Sequence, residues 1–311
     1  MRRAGFTIIE LLVLILIALL IVAILLPSMG PKGSSSRHLK DATQLRGIHQ
    51  AFGVWASSND DKYPLPSAVD VDNFTVPEFG RAKDTTANIM STLINEGFII
   101  VELLISPLEN NDRVQVYEGY EVENIRGAVD PENALWDPKL SADFTSAPGG
   151  NISYAHLIPQ GKRLDQWSST YNGEQAIISR RGPRILSVEQ VDNNVVTRFA
   201  NPKSRTTQAF GDIRSSKNAW WSGNVAYNDN HVDFNMNVYA DNKPVGTPEI
   251  FPRLKLLQDD GSTLDIHDVM FADELAPEGK DAWREAYDAN QFLGIFTTAG
   301  ENREDFTAIW D

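Results

Sequence analysis

The sequence predicts an α+β fold in which a long N-terminal helix packs on a β-rich head. An apolar tract at residues 6–26 has the length of a membrane-spanning helix. A second tract, which runs to about Ser58, repeats apolar residues at helical spacing. From residue 59 onward, short apolar runs alternate with Gly, Pro, Asn and Asp, which indicates strands joined by turns. We therefore expect a helix with a transmembrane half and an amphipathic half, followed by the head.

The composition excludes several classes of function. The chain has 311 residues and a formal net charge of −14 at pH 7. No nucleic-acid partner is expected, because phosphates require a basic protein surface. The chain contains no cysteine, which excludes thiol catalysis, cysteine-ligated zinc, iron–sulfur clusters and disulfides. Hydrophobic residues make up 42% of the chain, which is normal for a folded protein with a core.

The apolar tract predicts a single-pass membrane anchor. As a helix, residues 6–26 would span about 31 Å, close to the roughly 30 Å hydrocarbon core of a bilayer. Arg2 and Arg3 precede the tract, and positive residues favour the cytoplasmic side. We therefore expect the N-terminus to lie in the cytoplasm and everything after Pro27 to lie outside it.

Two simpler explanations of this tract leave either its length or Glu10 unexplained. A cleaved secretory signal would fit the small residues of Ser28-Met29-Gly30, but the apolar cores of such signals have only about 7–15 residues. A plain anchor explains the length but not Glu10, because a charge at membrane depth costs about 2.5–3.5 kcal/mol or more. An acid inside a membrane segment therefore suggests a function.

The stretch Gly5-Phe6-Thr7-Ile8-Ile9-Glu10 resembles the signature of type IV prepilins, which the pseudopilins of type II secretion share. The resemblance implies a type IV pilin-like fold and cleavage between Gly5 and Phe6 by a prepilin peptidase, with N-methylation of Phe6. It also implies that Glu10 meets the new amine of a neighbouring pilin or pseudopilin subunit. That contact would be heterologous and would build a filament. The family places such chains in the bacterial inner membrane, with the head periplasmic or on an extracellular fibre.

Between the anchor and the head, the sequence predicts a break followed by an amphipathic helix. Residues 27–36 contain two prolines and two glycines, and serines 34–36 can cap a helix that restarts near Arg37. His38 and His49 are expected at the surface. The stripe expected to face the head comprises Leu39, Leu45, Ile48, Phe52 and Trp55. The face expected to meet solvent carries Lys40, Asp41, Gln44 and Gln50.

The expected organisation is a leader at residues 1–5, an anchor at 6–26, the break and stalk helix at 27–58, and a head at 59–311. The head is one domain, or a core with a C-terminal elaboration from about residue 236. Within it we expect a hairpin over residues 224–234 and a helix over residues 280–293. A helix is also expected within residues 86–104, with Ile89, Met90, Leu93 and Ile94 as its buried side.

Two stretches of the head resemble a pseudopilin-like group common in planctomycetes. One is the turn-rich stretch at residues 57–66. The other is the hairpin, which resembles that group's C-terminal motif of a histidine, nine residues and then Asp-Gly-His-Val. The upstream histidine position is Ala219 here, and Asn230 replaces the glycine. A metal or chemical role for the upstream histidine of the motif is therefore not expected.

The catalytic motifs missing from the sequence favour a protein that is not an enzyme. The sequence contains no Gly-x-Ser-x-Gly elbow, P-loop or dinucleotide fingerprint, and no histidine pair has the i, i+4 spacing of a helical zinc site. No cofactor is expected, although Ca²⁺ is a minor hypothesis at two clusters of hard oxygen ligands. These clusters are Asp229, Asn230 and Asp233, and Asp259, Asp260 and Asp265. Solvated turns are the simpler interpretation of both. Of Trp220 and Trp221, at least one is expected in the core.

The sequence as a whole predicts a prepilin-like structural subunit of a type II secretion pseudopilus or a type IV pilus-like fibre. The apolar tract would store the subunit in the bilayer and later form the fibre core, and Glu10 would set the register. Two alternatives stay open, namely a membrane-anchored, adhesin-like binding module and a tethered extracytoplasmic enzyme.

Overall fold

The computed structural model describes residues 8–9, 12–15, 32–161, 163–191, 194–200, 221–235, 238, 253–257, 263–273 and 291–310. The chain divides into two compact units, Met1–Lys40 and Asp41–Asp311. In the first unit, residues 8–9 and 12–15 are helical and exposed.

The described residues form helices and strands as follows. The α-helices are α1 (Lys32–Ala56), α2 (Pro66–Val69), α3 (Thr86–Asn95) and α4 (Arg163–Gln166), and short 3-10 helices cover Gly80–Lys83, Val101–Leu104 and Arg303–Asp305. The strands are β1 (Tyr154–Leu157), β2 (Ala176–Arg180), β3 (Ile185–Val191), β4 (Asn194–Phe199), β5 (Gly223–Tyr227), β6 (Val232–Asn235), β7 (Arg253–Leu257), β8 (Thr263–His267), β9 (Leu293–Thr298) and β10 (Thr307–Ile309).

Six of the strands form one antiparallel sheet in the order β10-β9-β1-β2-β5-β6. The remaining described strands pair as two hairpins, β3 with β4 and β7 with β8. β1, β2 and β5 are buried along their whole length, and buried apolar residues of α1 and α3 belong to the same core as theirs. The predicted α+β class is confirmed.

The second half of α1 lies in the core of the second unit. Leu45, Ile48, Phe52 and Trp55 are buried there, as the apolar spacing predicts. Leu39, which belongs to the first unit, is exposed, so the predicted stripe is wrong at its first position. The helix also begins earlier than predicted, at Lys32, and therefore includes serines 34–36 instead of being capped by them. It ends at Ala56, and Asp60 and Asp61 follow with positive φ angles of 51° and 58°.

Helix α3 confirms the helix expected within residues 86–104, although the observed helix is shorter. Thr85 caps its first turn by accepting a hydrogen bond from the Asn88 backbone N–H at 3.3 Å. The helix stops before Gly97, whose φ of 73° is the left-handed conformation that commonly ends helices. The predicted side, Ile89, Met90, Leu93 and Ile94, is buried.

The helix predicted over residues 280–293 is wrong at its C-terminal end. Residues 280–290 lie outside the described part of the chain, but Leu293 begins strand β9 and pairs with Leu157 of β1. The Ile158 N–H donates to the Phe292 carbonyl at 2.9 Å and extends this pairing. The reason is local, because a run of consecutive apolar residues satisfies a strand buried on both faces as well as it satisfies a helix.

Candidate functional site

The processing and assembly residues expected from the sequence, Gly5, Phe6 and Glu10, lie outside the described residues. Most of the apolar tract at residues 6–26 does so as well. Among the residues that the structure describes, no helix combines the length and the apolar character needed to cross a membrane.

The structure describes how α1 packs on the head from Asp41 onward. This contact region, called the seam below, contains a completely buried carboxylate. Asp41 was expected on the solvent-facing side of the helix, but it is fully buried. Its Oδ1 accepts hydrogen bonds from Ser106 Oγ at 2.5 Å and from the Tyr154 hydroxyl at 2.9 Å. Its Oδ2 accepts from Asn224 Nδ2 at 2.7 Å. The expectation fails because these three donors compensate the desolvation of the carboxylate.

Tyr154 on β1 stays protonated in this environment. Its side chain is completely buried, and burial together with the negative charge of Asp41 raises its pKa well above the ordinary value. The hydroxyl therefore remains a hydrogen-bond donor to Asp41 across the accessible pH range. Because β1 pairs with β2 on one side and β9 on the other, this bond joins α1 to the interior of the sheet.

A second polar residue of α1 also points inward against expectation. Gln44 is buried, and its Nε2 donates to the carbonyls of Glu102 and Ile105 at 3.3 and 3.2 Å. Glu102 lies within the 3-10 helix Val101–Leu104, and Ile105 is the residue that follows it. Asp41 and Gln44 thus bind loop and sheet groups that lie far away in the sequence. Helical periodicity could not detect this, because it sorts residues by polarity alone.

The turn between β5 and β6 confirms the predicted hairpin, and α1 contacts it through a buried histidine. Asn230 has a φ of 69°, so an asparagine occupies the left-handed position at which the resembled group has glycine. His49 Nδ1 lies 3.1 Å from Asn230 Oδ1, and His49 Nε2 lies 3.2 Å from the Tyr63 hydroxyl. The Tyr63 hydroxyl also lies 2.7 Å from Asn228 Oδ1. His49 is therefore buried, and its predicted surface position is wrong.

This environment keeps His49 largely uncharged. Burial lowers the pKa of His49, while the hydrogen bond to Asn230 and the nearby charge of Asp229 act in the opposite direction and only partly offset burial. A neutral imidazole suits a structural link between the helix and the turn, because it needs no counter-ion.

Asp229, His231 and Asp233 form a partly exposed group on the outer side of the same turn. Asp229 Oδ1 accepts hydrogen bonds from the backbone N–H of His231 at 3.0 Å and from His231 Nδ1 at 2.5 Å. Partial burial acts to raise the pKa of Asp229, but the hydrogen bonds from His231 outweigh it, and the pKa lies below the ordinary value. The His231 ring stacks on Tyr227, with centroids 4.4 Å apart and an interplanar angle of 7°.

The Ca²⁺ hypothesis for Asp229, Asn230 and Asp233 receives no support from this geometry. Asp229 faces His231 and Asn230 faces His49, so their oxygens do not converge on one point. In the described part of the chain, no three His, Cys, Asp or Glu side chains are grouped so that they could hold a metal ion. In the other hypothetical cluster, Asp259 and Asp260 lie outside the described residues, and Asp265 belongs to β8.

Trp221 confirms that one residue of the tryptophan pair is in the core. Its ring is buried against Phe271, with centroids 4.8 Å apart, and its Nε1 donates to the Arg181 carbonyl at 3.1 Å. Trp220 and Ala219 lie outside the described residues.

Comparison with family models, with curated proteins and with solved structures gives no match.

Proposed function

We propose that the protein is a prepilin-like structural subunit. It is held in the inner membrane by residues 6–26, processed between Gly5 and Phe6 by a prepilin peptidase, and N-methylated at Phe6. It then assembles with other pilin or pseudopilin subunits into a type II secretion pseudopilus or a type IV pilus-like fibre. The observation that carries this proposal is the stretch Gly5-Phe6-Thr7-Ile8-Ile9-Glu10 at the start of the apolar tract.

The position of Glu10 supports an assembly role. Cleavage after Gly5 would create an amine at Phe6, and an amine and a carboxylate neutralise each other where either charge alone would be costly. If the amine belongs to a neighbouring subunit, each chain offers one carboxylate and one amine. Such a head-to-tail pairing has no closed end and extends into a filament.

The seam between α1 and the sheet supports a mechanical role. A subunit that is held in a fibre by its N-terminal helix must pass load from that helix to its head. In this chain the helix is joined to the head by apolar packing at Ile48 and Phe52 and by the buried contacts of Asp41. Separating a buried charge from its hydrogen-bond partners costs much free energy. These contacts therefore suit a connection that has to hold the helix and the head together under load.

The proposal is tested by mass spectrometry of the N-terminus of the chain expressed together with a prepilin peptidase. We expect a mature chain that begins at N-methyl-Phe6. A Gly5→Leu variant should keep residues 1–5, because the peptidase would lack its cleavage residue. A mature chain that begins at Pro31 would instead indicate a secreted protein and would contradict the proposal.

Assembly is tested separately with Glu10→Ala and Glu10→Asp. We expect both variants to be processed like the parent chain. Glu10→Ala should fail to enter filaments, and Glu10→Asp should retain part of the assembly because it retains the charge. Normal filaments from Glu10→Ala would show that Glu10 does not set the register.

A further inference from the structure

Beyond fibre assembly, we propose that His231 and Asp233 form a binding site for a divalent transition-metal ion of the zinc type. Asp229 acts as the positioning residue of this site. His231 lies in the turn of the β5–β6 hairpin and Asp233 lies on β6.

The contact with Asp229 determines which nitrogen of His231 can act as a metal ligand. A carboxylate can only accept hydrogen bonds, so His231 Nδ1, at 2.5 Å from Asp229 Oδ1, must carry the ring proton. The neutral ring then holds its lone pair on Nε2. A carboxylate that fixes the far nitrogen of a histidine in this way is the usual outer-shell partner of a metal-binding imidazole.

Asp233 would supply the second ligand. Asp233 Oδ2 lies 3.9 Å from His231 Nε2, which is too far for a hydrogen bond. Two ligands that bind one zinc ion at about 2.0–2.2 Å in tetrahedral geometry lie about 3.4 Å apart. A closure of about half an ångström would therefore bring both atoms onto one ion. The side chains of His231 and Asp233 are 39% and 63% exposed, so an ion can reach them and Asp233 can move.

The surroundings hold the imidazole in place before any ion binds. The ring is stacked on Tyr227, which is itself buried. Gly173 approaches from the neighbouring loop, where a Cβ atom would come within 2.8 Å of Asp229 Oδ2 and 3.7 Å of the His231 ring. The ring and its carboxylate are thus packed on one side and open on the other, and preorganisation of this kind favours binding.

The ligand chemistry selects the class of metal. One imidazole nitrogen with one carboxylate suits Zn²⁺, Ni²⁺ or Co²⁺, whereas Ca²⁺ and Mg²⁺ prefer oxygen ligands alone. The described residues supply two protein ligands here, since they contain no group of three. Water completes the coordination, so the affinity is modest and the site exchanges its metal.

The test is titration of Zn²⁺ into the full chain, kept in a mild detergent because of its apolar tract. We expect one equivalent to bind more tightly than the rest. His231→Ala and Asp233→Asn should each weaken that equivalent at least tenfold. Asp229→Asn should weaken it by about 10- to 100-fold, which is the usual effect of removing an outer-shell partner. His38→Ala is the matched control, because it removes a partly exposed histidine on α1 and should leave binding unchanged.

A second measurement separates binding from folding. Co²⁺ bound to the parent chain should give a visible absorption band that Zn²⁺ displaces and excess Ca²⁺ does not. The band should be lost in His231→Ala, while thermal unfolding of that variant stays close to that of the parent. The proposal is overturned if His231→Ala binds Zn²⁺ as tightly as the parent, if His38→Ala weakens binding equally, or if Ca²⁺ displaces the Co²⁺.

Discussion

The hydroxyl of Tyr154 donates a hydrogen bond of 2.9 Å to the carboxylate of Asp41, which joins β1 to α1 across 113 positions of sequence. Both residues are completely buried. Burial of the Asp41 carboxylate costs desolvation free energy, and the hydrogen bond from Tyr154 offsets part of that cost.

Tyr154→Phe should lower the free energy of unfolding by about 1.5–3 kcal/mol, because it removes a hydrogen bond to a buried charged group. The measurement is urea unfolding of the full chain at pH 7. Tyr171→Phe is the matched control, since Tyr171 is 77% exposed and should change the stability little. Equal effects of the two substitutions would mean that the Asp41 contact contributes nothing specific.

The apolar side of α1 is tested by a pair of truncations on opposite faces. Phe52→Ala should cost about 3–5 kcal/mol, because Phe52 is completely buried against the rings of Tyr63 and Trp167 and its loss leaves a cavity. Val54→Ala should change the stability by less than about 0.5 kcal/mol, because Val54 is 52% exposed. Chemical denaturation measures both. A comparable loss for Val54→Ala would place that face of the helix in a contact that the described residues do not show.

His156 makes the stability depend on pH in a defined direction. Burial lowers the pKa of His156 from 6.5 to about 4, while its hydrogen bond to the Leu157 carbonyl offsets burial only in part. Between these two values the unfolded chain binds a proton that the folded chain does not. The stability that neutral His156 contributes to the free energy of unfolding is therefore fully present above pH 6.5. It is lost as the pH falls towards 4, by up to about 3 kcal/mol.

The measurement is the free energy of unfolding at several pH values between 7 and 4. His156→Gln should show a flatter dependence than the parent chain, whatever its stability at pH 7. His38→Gln should keep the slope of the parent, because His38 is partly exposed. An unchanged slope in His156→Gln would assign the acid sensitivity to other groups.

Two ion pairs of the head should respond differently to the same kind of change. Lys83 Nζ lies 2.8 Å from Asp70 Oδ2 with both side chains buried, so Lys83→Met should cost about 3–5 kcal/mol because it leaves a buried charge without its partner. Arg126 pairs with Glu121 at the surface, and Arg126→Met should change the stability little. Thermal unfolding in low and high salt distinguishes them, since salt screens only the exposed pair. A salt-sensitive loss in Lys83→Met would contradict the burial of that pair.

Much of the fold could be predicted because local pattern and burial agree. The spacing of Leu45, Ile48, Phe52 and Trp55 predicts the buried face of α1, and the alternation around Asn228-Asp229-Asn230 predicts the hairpin. The inward positions of Asp41, Gln44 and His49 could not be predicted in the same way. Each is polar and is buried only because partners from distant segments satisfy it, and a single sequence does not reveal those partners. Ser106 and Asn224 gave no separate signal for the same reason.

The geometry around His231 on the hairpin could not be predicted from the sequence either. The sequence predicted no metal or chemical role for the upstream histidine of the resembled motif, because Ala219 occupies its position, and it assigned no role to His231. Asp229 and Tyr227, which orient His231, are its neighbours in the sequence. Their effect depends on the geometry of the turn. Composition alone could not assign a tautomer to the ring.

The place of β9 in the sheet has a consequence for how the protein is made. β1 gains one neighbour, β2, soon after it is synthesised, but its other neighbour is β9, which begins only at Leu293. Pairings between such distant segments are slow, because a long loop must close before they form. The sheet that receives α1 therefore stays incomplete until β9 has been synthesised, and until then the nascent head exposes an unpaired edge of β1. Ribosome stalling before residue 293 would yield a chain with a stalk helix and no finished sheet for it to dock against.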